Sequence, residues 1–194
     1  MRSFFFEILE TILIALAVFL IVRTSIQTVR VDGLSMDPTL THGQYLMVNK
    51  LVYFNFSFLP IEDRTDSGTR RISIFQYPSP GDLIVFHSSD EADKDLVKRV
   101  IGVPGDMVRM VDGFVYVNDQ LLQEPYVANR GSSFVSPEII RPGHYFVLGD
   151  NRTASSDSRF LGQIPRSNIV GKVWLTFWPI ANFGTLRSTS GLLE

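Results

Sequence analysis

VPGDMVRMVDGFVYVN, residues 103–118, decides the fold class because turn signals alternate in it with short apolar runs. Pro104-Gly105 fits the two central positions of a type II turn, and Asp112-Gly113 between VRMV and FVYV is the strongest short-range signal for a β-hairpin. Two further Pro-Gly pairs, at 80–81 and 142–143, each precede another apolar run. Because no long stretch beyond the N-terminal segment has a helical period, the sequence predicts a mostly β, antiparallel domain, with other strands at Tyr45–Val52, Leu96–Val103 and Ile169–Phe177.

Composition narrows the functional classes. The chain has 194 residues and a net charge of −2, which argues against nucleic acid as the main partner because that usually requires a basic patch. It contains no cysteine, so disulfides and thiolate metal sites are excluded. His42, His87 and His144 are interpreted as exposed turn or strand-end residues, and none has the i, i+4 partner of a helical zinc site. The sequence predicts no metal and no cofactor.

The N-terminus is a largely apolar segment from Phe4 to Val22, about the shortest length that spans ~30 Å of hydrocarbon as a helix. Glu7 and Glu10 lie near one end of it, where a carboxylate can reach the headgroups, so they weaken the prediction of a spanning helix without excluding it. Arg2 and Arg23 flank it with almost no charge bias, so basic residues leave its orientation undecided. A cleaved signal peptide is the alternative, because Ala15-Leu16-Ala17 has the small-x-small form, but a cleavage site should follow the apolar run and not lie inside it. We predict a transmembrane anchor at 1–23, a linker at 24–34, a β domain at 35–185 and a tail at 186–194.

Lys98 is the candidate base. In DLVKRVIGVPGD, residues 95–106, the alternation of a strand places Lys98 on one face between Leu96 and Val100. Such a lysine either extends to water or is held in a dry site, and the sequence leaves both possibilities open. In a dry site, desolvation would lower the pKa of the amine. A neutral amine beside a serine hydroxyl can take its proton, as in Ser-Lys catalytic pairs.

Two other segments carry polar candidates. In GLSMDPTL, residues 33–40, Ser35 does not fit the G-x-S-x-G pattern because Asp37 stands where the second glycine should be. Any base that activates Ser35 must therefore lie elsewhere in the sequence. GDNRTASSDSR, residues 149–159, is either a solvated surface loop or a support for the site, in which a hydroxyl orients the lysine and an Asp-Arg ion pair stiffens the loop.

Taken in order, an anchor, S-M-x-P-T-L, K-R-V-I-G-x-P-G-D and G-D-N-R-x-x-S-x-D-S-R resemble bacterial type I signal peptidases of peptidase family S26. The resemblance extends to the run that begins at Phe177. It implies the mostly β signal-peptidase fold and a membrane-bound serine endopeptidase that removes signal peptides from secreted preproteins after small-x-small sites, through an acyl-enzyme and without a cofactor. It also implies that 35–185 is an extracytoplasmic catalytic domain on a single-pass protein of the plasma membrane. The implied partners are signal peptides, membrane lipid and, indirectly, the translocation machinery.

The resemblance also implies roles for individual residues. Ser35 matches the nucleophile and Lys98 the general base. Ser155 matches the serine that hydrogen-bonds the lysine, and Asp157 and Arg159 match the supporting ion pair. The strand that matches the one pairing with extended substrate consists of Asp82, Leu83, Ile84, Val85 and Phe86.

The oxyanion hole departs from part of the family. Many members carry serine or threonine two residues before the nucleophile, whereas this chain has Gly33. The hole should therefore depend on backbone N–H groups in the Gly33 region, such as that of Ser35. Asp32-Gly33 also indicates a turn that needs glycine.

The sequence has one structural alternative, for the aromatic run, and two functional alternatives to a signal peptidase. The aromatic run Leu51–Leu59 enters the membrane interface or forms a core strand with a hairpin. A self-cleaving repressor of the Ser-Lys kind would carry a DNA-binding domain where this chain has an apolar helix. An inactive anchored β module that binds peptides would not need a lysine on an apolar strand face.

Overall fold

The computed structural model describes residues 2–53, 77–88 and 94–186, with side chains from residue 6 onward. These residues form two α-helices, twelve strands and short 3-10 helices. The α-helices are α1 (Arg2–Ser25) and α2 (Ser158–Leu161). The strands are β1 (Ile26–Arg30), β2 (Tyr45–Asn49), β3 (Leu83–Ser88), β4 (Lys94–Gly102), β5 (Met107–Val111), β6 (Phe114–Val117), β7 (Gln120–Leu121), β8 (Val135–Ile139), β9 (His144–Leu148), β10 (Ile164–Pro165), β11 (Ile169–Trp178) and β12 (Gly184–Thr185).

Two antiparallel sheets make up the body of the described chain. The larger has the order β1-β2-β11-β3-β4-β9-β10, with β12 also paired to β11, and the smaller has the order β7-β6-β5-β8. The hairpin predicted at Asp112-Gly113 is present: β5 pairs with β6 around these two residues. Both have positive φ, 48° and 76°, as a type I′ turn requires. The prediction of a mostly antiparallel β fold is confirmed.

The N-terminal segment is helical from Arg2 to Ser25, and β1 follows without a gap. Residues 26–30 of the predicted linker are therefore a strand, which pairs with β2 over its whole length. Among the residues that the structure describes, no helix meets the length and apolarity needed to cross a membrane. The transmembrane anchor predicted for residues 1–23 is thus not confirmed.

The predicted strand Tyr45–Val52 ends early. β2 stops at Asn49, whose side-chain carbonyl accepts hydrogen bonds from the N–H groups of Leu51 and Val52 at 3.0 and 3.2 Å. These contacts turn the chain into a 3-10 helix at Leu51–Tyr53, as asparagine often does beyond a strand. The rest of the run Leu51–Leu59 lies outside the described residues.

β3 and β4 are central strands of the large sheet and are buried on both faces. Lys98, the candidate base, lies on β4. Val85 and Val97 pack in one core cluster with residues of β2 and β11. Ile84 and Val100 face the opposite way and pack in a second cluster with residues of β9. Lys98 lies directly opposite Ile84 in the β3–β4 ladder. Lys98 therefore lies on a central strand of the large sheet and not at its edge.

Candidate functional site

The structure brings Ser35 and Lys98 together although 63 residues separate them. The Nζ of Lys98 donates to the Oγ of Ser35 at 3.0 Å and to the carbonyl oxygen of Val97 at 3.0 Å. Only 2% of Lys98 is exposed, so the interpretation of this lysine as held in a dry site is confirmed and extension to water is excluded. Ser35 itself is half-buried, which leaves its hydroxyl within reach of a reactant.

The loop between β1 and β2 presents Ser35. Met36 and Leu40, on the C-terminal side of the serine, are buried in the first core cluster, and the N–H of Leu40 donates to the carbonyl of Met36 at 2.8 Å. The N–H of Asn151 donates to the carbonyl of Ser35 at 3.0 Å. The apolar residues of S-M-x-P-T-L thus anchor the loop, and the G-D-N-R segment holds the backbone of the serine itself.

Gly149 lets the two loops approach each other. A Cβ at this position would lie 2.5 Å from the carbonyl oxygen of Ser35 and 2.5 Å from the Cβ of Ser155, closer than real contacts allow. The Oγ of Ser155 is buried but makes no hydrogen bond within the described chain, so the bond predicted from Ser155 to Lys98 is absent here. The amine of Lys98 points instead to Ser35 and Val97.

The ion pair predicted between Asp157 and Arg159 is present and buried. The Nε of Arg159 lies 2.8 Å from Oδ1 of Asp157, and a second guanidinium nitrogen lies 2.9 Å from Oδ2. The same carboxylate accepts the N–H of Gly149 at 3.0 Å, and Arg159 also donates to the carbonyl of Ser155 at 3.2 Å. The pair therefore fixes both ends of the loop that packs against Ser35.

A second buried ion pair beside the site was missed from the sequence. Two guanidinium nitrogens of Arg99 contact the carboxylate of Asp150 at 2.8 and 2.6 Å, and the hydroxyl of Thr39 donates to the same carboxylate at 2.5 Å. Arg99 also stacks on Tyr126 at 3.9 Å. Burial, followed by the carboxylate of Glu124, raises the pKa of the Tyr126 phenol above its ordinary value. A charged residue on the second apolar face of β4 was the available signal, because a buried charge requires a partner.

The backbone N–H groups of Gly33 and Ser35 differ in whether they donate a hydrogen bond. Gly33 has a φ of +105°, so the turn that needs glycine is confirmed. Its N–H donates to the Nδ1 of His42 at 3.1 Å, whereas the N–H of Ser35 donates no hydrogen bond within the described residues. Of the two, the N–H of Ser35 is the one available to an oxyanion.

Comparison with known proteins decides the family. The model of the family described as signal peptidase, peptidase S26, matches residues 5–178, which include every site residue named above. Signal peptidase I of Leptolyngbya laminosa is 33% identical, covering 93% of this chain and 83% of the relative. Signal peptidase I of Bacillus caldolyticus is 37% identical, covering 79% of this chain and 80% of the relative. This chain belongs to the signal peptidase family S26.

As a member of the signal peptidase family, the chain is a serine endopeptidase by class. Signal peptidase IB of Staphylococcus aureus (strain COL) is a further relative, 34% identical over 91% of this chain and 93% of its own length. A crystal structure of a signal peptidase I from Enterococcus faecalis V583 is 30% identical and covers 50% of this chain and 97% of that chain, with a TM-score of 0.44.

The strand predicted to pair with substrate is in the wrong place for that role. Leu83–Phe86 pair with β4 on one side, and Ile84–Phe86 pair with β11 on the other. An extended peptide cannot add to a strand whose two edges already have partners. Asp82 is also committed, since its carboxylate accepts the hydroxyl of Tyr53 at 2.7 Å and lies 2.6 Å from the Nζ of Lys172. We therefore correct the assignment of Asp82–Phe86 as the substrate strand of this signal peptidase.

Proposed function

We propose that the chain removes signal peptides from secreted preproteins by cleavage after small-x-small sites, with Ser35 as nucleophile and Lys98 as general base. The observation that carries the proposal is the 3.0 Å contact between Nζ of Lys98 and Oγ of Ser35. The lysine end of this contact is buried and the serine end is accessible. Burial disfavours the charged ammonium, which is the condition for an amine to act as a base.

The geometry supports a two-step acyl transfer. In the first step the neutral amine of Lys98 takes the hydroxyl proton while Oγ of Ser35 attacks the carbonyl carbon of the residue at −1. The N–H of Ser35 stabilises the oxyanion of the tetrahedral intermediate. The ammonium then returns its proton to the leaving amine as the peptide bond breaks. In the second step a water gives a proton to Lys98, its oxygen attacks the acyl carbon, and the proton returns to Oγ of Ser35.

The open edge of β4 is where we place the substrate. β9 pairs with β4 only from Arg99 onward, so within the described residues the edge of Lys94–Lys98 on that side has no strand partner. An extended peptide that adds to this edge lies next to Lys98. N-methylation of a substrate peptide at residues flanking the cleavage site should raise KM several-fold, because it removes ladder donors. An unchanged KM at each flanking position would contradict this placement.

We also propose that α1 attaches the chain to the plasma membrane, with the catalytic domain outside, where signal peptides delivered by the translocation machinery present their cleavage sites. Support comes from large apolar side chains exposed along α1 from Phe6 to Val22, since such a surface favours contact with lipid. The full chain should remain with membranes through an alkaline carbonate wash, and protease added outside intact spheroplasts should degrade it. Release by the wash would contradict the attachment to the membrane. Protection from the protease would contradict the placement of the catalytic domain outside.

Cleavage in trans by the purified chain tests the proposed activity. The full chain in detergent, mixed with a peptide that carries alanine at −3 and −1, should give two products whose masses place the cut after −1. The matched control peptide carries lysine at −1 and should remain intact. Repeated turnover would exclude self-cleavage and a peptide-binding module. No cleavage of either peptide would refute the proposal.

The pH dependence of this cleavage should report the base. We expect kcat/KM to rise with pH through a group whose pKa lies well below the ~10.4 of a free lysine. The reason is the burial of Lys98, because desolvation favours the neutral amine, which is the active form. A profile that still climbs steeply at pH 10 would show that the base is solvated.

Gly33 should be required for its backbone and not for its lack of a hydroxyl. Its φ of +105° strains any residue with a Cβ, although no atom of the described residues, apart from its two chain neighbours, lies within 4 Å of the position that a Cβ would occupy. We expect Gly33→Ser and Gly33→Ala to lower kcat alike, by about tenfold, because a residue held at such a φ costs on the order of 1–3 kcal/mol. Initial rates on the alanine peptide measure the effect. If Gly33→Ala is harmless and Gly33→Ser is faster, the oxyanion hole lacked one donor.

A further inference from the structure

We propose that His42 is a positioning residue for the nucleophile loop, in which the neutral imidazole holds the backbone N–H of Gly33 and protonation releases it. The inference rests on the proposed function and adds to it a residue outside the Ser-Lys pair. From the sequence, His42 is interpreted only as an exposed turn residue. In the structure its side chain reaches back across nine residues to the backbone just before Ser35.

The contact between Gly33 and His42 can form with only one protonation state of the ring. The N–H of Gly33 points at Nδ1 of His42 from 3.1 Å, and a nitrogen can accept a proton donor only when it carries a lone pair. A ring that accepts this N–H is neutral, with its proton on Nε2. A doubly protonated imidazolium has two donors and no acceptor, so it cannot make this contact.

The position of the contact gives it influence over Ser35. Backbone bonds clamp the base of the loop, where Val31 exchanges hydrogen bonds with Gly43 and Gln44 at 2.9 and 2.8 Å. The His42 contact extends this clamp to Gly33, two residues from the nucleophile. On the other side of the serine, Asn151 holds its carbonyl. The N–H of Ser35, which donates no hydrogen bond to a described residue, thus lies between two fixed points, of which His42 supplies one.

Protonation of His42 should replace its contact with Gly33 by a contact with Asp32. The carboxylate of Asp32 lies 3.4 Å from Nδ1 of His42, and it is the charged group at ion-pair distance from the ring among the described residues. An imidazolium would turn its new N–H toward Asp32, and Gly33 would lose its acceptor. Histidine is the side chain that ordinarily changes charge between about pH 5 and 8. The loop should therefore be fixed at neutral and alkaline pH and loosened in acid.

Three variants test the role of His42. His42→Asn places an amide oxygen where Nδ1 lies, so it keeps an acceptor that does not titrate, whereas His42→Ala removes the acceptor. His144→Asn is the matched control, because its ring contacts only the local carbonyl of Pro142 among the described hydrogen bonds. At pH 8 we expect His42→Asn and His144→Asn to cleave within about twofold of wild type. His42→Ala should lower kcat about tenfold with KM within about twofold, as expected for loss of one positioning hydrogen bond.

The acid limb of the pH profile separates positioning from a merely structural effect. Protonation of Lys98 alone gives log kcat/KM a slope of about one in acid. If protonation of His42 costs the tenfold expected for His42→Ala, the slope rises to about 1.5 over roughly two pH units and then returns to one. Wild type and His144→Asn should steepen in acid, whereas His42→Asn should keep the slope of one. Equal slopes in wild type and His42→Asn, or an unchanged kcat in His42→Ala, would overturn the inference while leaving the proposed function intact.

A second measurement does not depend on cleavage. In detergent-solubilised, 15N-labelled Ser35→Ala chain, the amide proton shift of Gly33 should follow the titration of His42, and His42→Asn should abolish this dependence. A Gly33 amide that does not respond to pH would overturn the inference. If it responds but wild type cleaves no signal peptide, the proposed function fails and the role of His42 in catalysis fails with it.

Discussion

Ser35→Ala and Lys98→Ala are each expected to reduce cleavage of the alanine peptide to background, a loss on the order of 10⁶-fold in kcat. Each variant removes one half of the 3.0 Å contact between Oγ of Ser35 and Nζ of Lys98. The two groups act as a unit, so the double variant should be no slower than either single one. Product formation followed over days by mass spectrometry gives the range needed to measure such a loss.

Lys98→Arg isolates the proton-transfer role. Arginine keeps the positive charge but cannot be deprotonated in a protein, so this variant should also be inactive. The matched control is Lys50→Arg, which makes the same change at a lysine just beyond β2 that the proposed mechanism does not use, and it should retain wild-type activity. Circular dichroism and thermal unfolding should show that Ser35→Ala is folded. Substantial activity in Lys98→Arg would show that another group is the base.

Local signals made the strands and one hairpin predictable. The turn at Asp112-Gly113 depends on residues that tolerate positive φ, and such residues are visible in any sequence. The strand around Lys98 was predictable for the same reason, since alternation is local. The order of strands depends on long-range pairing. The sequence could not show that Leu83–Phe86 lie in the interior of the large sheet with partners on both sides, so the substrate strand was misassigned.

The site was predictable in its central pair and less so around it. Ser35 and Lys98 stand out because a serine without a nearby base and a lysine among apolar residues both require an explanation. The hydrogen bond expected from Ser155 to the lysine is absent, although Gly149 brings Ser155 next to the carbonyl of Ser35. The contact of His42 with Gly33 joins a side chain to a backbone N–H, and no residue pattern marks such a contact. Sequence motifs report which side chains are present, whereas the direction of a backbone group appears only in the fold.

Asp150→Asn should be the most destabilising single change near the site. The carboxylate of Asp150 is fully buried and receives two bonds from Arg99. An amide of the same shape removes the carboxylate charge that two guanidinium nitrogens contact in a dry interior, and breaking a buried ion pair in this way costs about 3–5 kcal/mol. Urea unfolding of the full chain, followed by tryptophan fluorescence, measures this loss in the free energy of unfolding.

Asp119→Asn is the matched control for the loss of a carboxylate charge. Asp119 pairs with Arg109 at 3.3 Å, but its side chain is 70% exposed, and exposed pairs contribute about 0–1 kcal/mol.

If Asp150→Asn is too unstable to purify, the double variant Arg99→Met/Asp150→Leu shows whether the buried charge of Arg99 is the cause. Replacing both charges with apolar side chains of similar volume removes the uncompensated charge, so the double variant should be more stable than Asp150→Asn despite carrying two changes. Two results would contradict this explanation: a double variant that is less stable than Asp150→Asn, or a loss of stability in Asp150→Asn no larger than that in Asp119→Asn. Either result would mean that packing and hydrogen bonds, and not the buried charge of Arg99, govern the contribution of this pair to stability. The hydroxyl of Thr39 donates to the same carboxylate, so loosening the pair should also loosen the loop that carries Ser35, and the purified Asp150→Asn variant should cleave more slowly than Asp119→Asn under conditions in which both are folded.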